Sequence, residues 1–65
     1  MNKVRGYRTM LGKTQEEMAA IIGVSINTYR KMEDNPKEFK IEQATTFLNE
    51  VKKLNPDVKM DDIFN

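Results

Sequence analysis

Sixty-five residues, 38% of them hydrophobic, leave roughly 25 apolar side chains and so the core of one domain. The chain has no Cys and no His, which excludes disulfide scaffolds, zinc fingers, thiol nucleophiles and histidine general bases. The formal charge is only +1, but residues 1–33 hold six Lys/Arg against three Glu, whereas residues 34–65 hold five against seven Asp/Glu. The basic half suits a polyanion on one face.

No apolar run approaches the roughly 20 residues of a membrane span, and MNKVRGYRTM lacks the apolar stretch of a secretory signal. A cytoplasmic protein of one domain, residues 1–65, is the expectation. Gly12, Gly23, Pro36 and Pro56 cut the chain into pieces of helical length, and none alternates like a strand. An all-α fold of five short helices follows.

The first helix, about Asn2 to Leu11, carries Val4, Tyr7 and Leu11 on one stripe, leaves Lys3 and Arg5 outside, and stops at Gly12. The second opens on Thr14-Gln15-Glu16-Glu17, a capping-box pattern, buries Met18, Ala19, Ile21 and Ile22, and ends at Gly23. Ser25 is an N-cap for the third, about Ile26 to Glu33, with Tyr29 and Met32 on its inner face. Only about three residues join these two helices, which forces a large angle between their axes and predicts a helix-turn-helix unit. Asn35-Pro36 ends the third helix. The fourth, about Lys40 to Leu54, aligns Ile41, Ala44, Leu48 and Val51, with Phe47 and Leu54 beside them. Met60 to Phe64 forms a last helical turn in which Ile63 and Phe64 close the core.

Catalysis finds little to work with. The carboxylate pairs Glu16/Glu17 and Asp61/Asp62 are adjacent, so on a helix they point about 100° apart and do not converge on one atom. Gly6, Gly12 and Gly23 are too scattered to cradle a phosphate, and neither a metal nor another cofactor is implied. The outer faces of the second and third helices are more informative. They carry Gln15, Ile26, Asn27, Thr28, Arg30 and Lys31. Asn pairs bidentately with adenine, Arg with guanine, an aliphatic chain covers the thymine methyl, and Lys and Thr meet phosphate oxygens. Ile26, three residues before Tyr29, also fits a core position.

The segment TQEEMAAIIGVSINTYRKME resembles the helix-turn-helix of the Cro/C1-type (XRE) regulators of phages and bacteria. The likeness rests on Gln15 opening the first motif helix, Ala19 where the helices cross, Gly23 in the turn, Val24 after it, apolar Tyr29 and Met32, and the closing Glu33. It extends to the basic first helix and to the hydrophobic DDIF ending. The resemblance implies a compact five-helix lambda-repressor-like DNA-binding domain whose second motif helix enters the major groove of double-stranded DNA. Carried onto this chain, it implies Ile26, Asn27 and Arg30 as base readers, with Gln15, Ser25, Thr28 and Lys31 at the DNA backbone. It further implies a structural salt bridge between Arg8 and Glu33. One helix reads few base pairs, so a homodimer on a pseudo-palindromic operator is expected, acting as a regulator by occupying DNA. The rival reading is a protein-interaction module or the antitoxin of a toxin–antitoxin pair; against it, the outer face of the third helix shows no Leu, Met or aromatic anchors.

Overall fold

In a computed structural model the protein is described from Asn2 to Phe64. It has five helices, α1 (Lys3–Met10), α2 (Gln15–Ile22), α3 (Ile26–Asp34), α4 (Ile41–Lys52) and α5 (Met60–Phe64), with a single 3₁₀ turn at Pro36–Glu38. No strand occurs among the described residues. The radius of gyration is 10.4 Å, and none of these helices is long and apolar enough to cross a membrane.

Local chemistry sets the boundaries. The Asn2 side chain accepts from Arg5 N–H at 3.1 Å and starts α1. At α2 the capping box is complete: Thr14 Oγ1 accepts from Glu17 N–H at 3.0 Å, and Glu17 Oε1 accepts from Thr14 N–H at 2.9 Å. The bonds with Thr14 hold the Glu17 carboxyl below the usual range. Gly23 closes α2 in the left-handed region, φ 90°, where the N–H groups of Gly23 and Val24 both reach the Ala19 carbonyl, at 2.8 and 3.0 Å. Ser25 Oγ then accepts from Thr28 N–H at 3.1 Å and starts α3 only three residues after α2 ends. So short a joint holds α2 and α3 in mutual contact, with Ala19 buried.

The core unites Val4, Met18, Ala19, Tyr29, Phe47, Val51, Val58 and Ile63. Phe39, in the link between α3 and α4, is an aromatic hub. Its ring lies edge-on to Tyr29, Phe47 and Phe64, with centroid distances of 6.5, 5.9 and 4.9 Å.

Three expected core residues are outside. Ile41 is 75% exposed, Leu54 58% and Ile21 37%. Ile41 is the first residue of α4 and Leu54 lies beyond its end, so the apolar stripe runs past the part of the helix that neighbours cover. On α2 the buried side narrows to Met18 and Ala19, with Ile22 partly covered, which turns Ile21 to solvent. The α4 boundaries accordingly contract from Lys40–Leu54 to Ile41–Lys52, while α3 extends one residue to Asp34.

Candidate nucleic-acid interface

Helix α3 buries Tyr29, Met32 and Glu33. At about 100° per residue these three lie within one sector, and the opposite side falls to Asn27, Arg30, Lys31 and Asp34, all exposed. Asn27, Arg30 and Lys31 make no side-chain hydrogen bond or ion pair with the described residues. An amide and two cations thus stand free on one strip of a short helix. Ile26 sits at its edge, half-buried, so its side chain is shared between the core and the outer face.

The N-terminus of α3 also carries polar groups at the surface. Ser25 Oγ donates to Thr28 Oγ1 at 2.9 Å while accepting from Thr28 N–H. The two hydroxyls are therefore coupled, leaving the Thr28 hydroxyl proton free to turn outward. The first backbone N–H groups of the helix, at Ile26 and Asn27, have no intrahelical acceptor and lie at the positive end of the helix dipole.

What holds the strip in place is a buried carboxylate. Glu33 is 0% exposed and receives five hydrogen bonds. Its Oε1 accepts from Arg5 Nε (3.1 Å), Arg8 Nη2 (3.0 Å) and Gln15 Nε2 (3.1 Å). Its Oε2 accepts from Arg8 Nε (2.7 Å) and the Tyr29 hydroxyl (2.7 Å). Arg8 grips both oxygens as a fork and also donates from Nη1 to the Lys13 carbonyl at 2.8 Å. The Asn2 amide donates to the Glu33 carbonyl. Burial pushes the Glu33 carboxyl up, but the bonds from Arg8, Tyr29, Arg5 and Gln15 outweigh it and bring the pKa to about 2. The Arg8 guanidinium is raised chiefly by its bond to Glu33. Burial, followed by the bond to Glu33, pushes the Tyr29 phenol upward, so it remains a donor.

One carboxylate therefore ties α1 and α2 to α3 and fixes how α3 projects. No buried polar side-chain atom among the described residues lacks a partner. The Arg8–Glu33 pair is present, but three further ligands of that carboxylate were not foreseen. Arg5 is not merely solvated: it bridges Glu33 and Asp34, reaching Asp34 Oδ1 with Nη2 at 3.2 Å. That contact neutralises the one acid on the outer strip of α3. Gln15 spends one amide proton inside on Glu33, leaving its carbonyl oxygen and its other proton for anything beside α2. Arg5 lies off the stripe of Val4, Tyr7 and Leu11, so periodicity gives no sign of this reach.

A family model described as helix-turn-helix, that of the Cro/C1-type or XRE domains, matches residues 4–47. The chain belongs to that family. Its members are DNA-binding transcription regulators. The matched span of this helix-turn-helix domain runs from α1 into α4 and includes every donor to the Glu33 carboxylate; Val58 and α5 lie beyond it. Neither a curated protein nor a solved structure matches the chain.

Proposed function

We propose that this domain is a sequence-specific transcriptional regulator that sets α3 in the major groove of double-stranded DNA and represses where its operator overlaps a promoter. The observation that carries this reading is the outer strip of α3, on which Asn27, Arg30 and Lys31 stand exposed without internal partners while Glu33 anchors the opposite side. Asn27 and Arg30 read base edges, with Ile26 offering its exposed part to a thymine methyl. Ser25, Thr28 and Lys31 meet phosphates near the α3 N-terminus, and Gln15 does so from the start of α2 through the groups it does not give to Glu33. The domain works as a homodimer, one α3 per half-site, on a pseudo-palindromic operator with half-sites about one turn apart. A protein-binding module would present apolar anchors on this strip, and it presents none.

The test uses duplexes selected from a random pool and fluorescence anisotropy. Arg30→Ala should cost about 1–3 kcal/mol at one base pair and relax the preference there. Lys31→Ala should weaken binding to all sequences alike and reduce the salt slope by about one. Both positions are exposed, so the thermal melts should match the parent. Unchanged affinity and preference in a folded Arg30→Ala protein refutes the readout assignment.

A further inference from the structure

We propose that Arg5 is a positioning residue for DNA recognition that acts through Asp34: it pins the acid sharing the outer strip of α3 and so keeps Arg30 and Lys31 free for the duplex. This rests on the DNA reading above and names a residue of α1 that controls it. The Arg5 guanidinium divides its donors, Nε to Glu33 Oε1 at 3.1 Å and Nη2 to Asp34 Oδ1 at 3.2 Å. The first acceptor is fully buried, whereas the Asp34 side chain is 70% exposed and that of Arg5 53%. One planar fork therefore reaches from the core to the outer strip.

An exposed ion pair usually contributes little, because two mobile side chains must be held still to form it. Here the cation is already held. Its Nε is fixed on the buried carboxylate, and its backbone is fixed in the first turns of α1, where Arg5 N–H donates to Asn2 Oδ1 at 3.1 Å and the Arg5 carbonyl accepts from Thr9 Oγ1 at 2.8 Å. Only the short Asp34 side chain gives up freedom when the second bond forms.

Asp34 needs such a partner. It lies with Glu33 in the last turn of α3, at the negative end of the helix dipole, where acids are unfavourable and cations are drawn in. Lys31 and Arg30 stand three and four residues before it, the spacings that make side chains neighbours on one face of a helix. Both are exposed, and neither forms an ion pair among the described residues. Without Arg5, Asp34 competes with DNA for these two cations and sets an unpaired carboxylate near the phosphates. Glu33 is less affected, since Arg8, Gln15 and Tyr29 still supply four of its five bonds. The domain keeps its fold, and the loss falls on recognition.

The test compares Arg5→Ala, Asp34→Asn and the double variant of the full chain by fluorescence anisotropy on a selected duplex, below the melting transition. Arg5→Ala should bind about 3- to 10-fold more weakly, with a salt slope shallower by up to about one. Asp34→Asn alone should lose no affinity. The double variant should return to within about twofold of the wild type, while its melting temperature stays as low as that of Arg5→Ala, because the bond to Glu33 is not restored. A merely structural role would leave affinity and melting temperature low together. In the absence of DNA, the Arg30 Nε–H and Lys31 side-chain NMR signals should shift in Arg5→Ala and return in the double variant. If Arg5 itself touches phosphate, the double variant binds as weakly as Arg5→Ala; that result, or unmoved Arg30 and Lys31 signals, overturns the proposal while salt-dependent binding by the wild type leaves the DNA reading standing. Wild-type binding indifferent to salt overturns both.

Discussion

Replacing Glu33 by Gln keeps the shape of the buried carboxylate and removes its charge. The Arg8 side chain, 13% exposed, would then lose its counter-charge, and at least one of the five donors would face an amide NH₂ instead of an acceptor. Removing one partner of a buried ion pair costs about 3–5 kcal/mol. A domain of this length is stable by about 3–10 kcal/mol at the usual 0.05–0.15 kcal/mol per residue, so the substitution consumes much or all of that. The pH dependence gives an independent magnitude. The folded pKa of about 2 lies below the ordinary 4.5, and at about 1.4 kcal/mol per pH unit the gap amounts to about 3 kcal/mol. The native state binds fewer protons than the unfolded chain in this interval. The stabilisation is therefore complete above about pH 4.5 and is lost as pH falls toward 2, with about 2 kcal/mol gone between pH 7 and pH 3. Urea unfolding followed by circular dichroism, at steps from pH 7 to pH 3, measures both quantities. Glu33→Gln should be less stable at pH 7 and should lack this component of the acid dependence. Curves running parallel for the two proteins, or a difference under about 1 kcal/mol at pH 7, would refute the assignment of that energy to Glu33.

Gly23→Ala isolates the turn: a Cβ there meets nothing within 4 Å, so the cost is that of φ 90° alone, about 1–2 kcal/mol. The melting temperature should fall by about 4–8 °C per kcal/mol, with DNA affinity retained below the transition; an unchanged melt would show that the left-handed turn is not required. For DNA binding itself, Lys13, Arg30 and Lys31 are cations beside the two motif helices that form no ion pair among the described residues, so log K against log salt should have a slope of about −2 to −3 per bound copy. A slope near zero would remove the DNA reading, and one near about −6 would mean that α1 also delivers its charges to phosphate.

How far the residues announce this architecture depends on the range of the interactions. Punctuation by Gly12, Gly23 and Pro36 and the Thr14 capping box are local chemistry, and they place α1, α2 and α3 to within one or two residues. Periodicity succeeds for Met18, Ala19, Tyr29 and Val51 because neighbours cover the middle of each stripe. It fails at Ile41 and Leu54 because a stripe does not record where its cover ends. Phe39 and Val58 carry no period at all: each is a lone apolar residue in a link, and only the assembled helices show that one is an aromatic hub and the other is buried.

The same distinction governs the charge. Counted along the chain, the first half is basic, with Lys3 and Arg5 outside the apolar stripe of α1 and Arg8 expected to pair with Glu33. In the folded protein Arg8 and Arg5 are held by Glu33, with Arg5 reaching Asp34 as well, so two of the six cations serve α3 as supports. The surplus that first suggested a polyanion is thereby reduced, and what remains is concentrated. Arg30 and Lys31 share the outer strip of α3 with Asn27, while Arg5 offsets Asp34 at the strip's far end. A weak overall field with a few fixed donors gives modest affinity for DNA at large and leaves discrimination to base contacts. Precision then depends on how rigidly α3 is carried, and the carrier is Glu33: the buried acid that subtracts from the basic half's charge is also what makes the remaining cations geometrically useful.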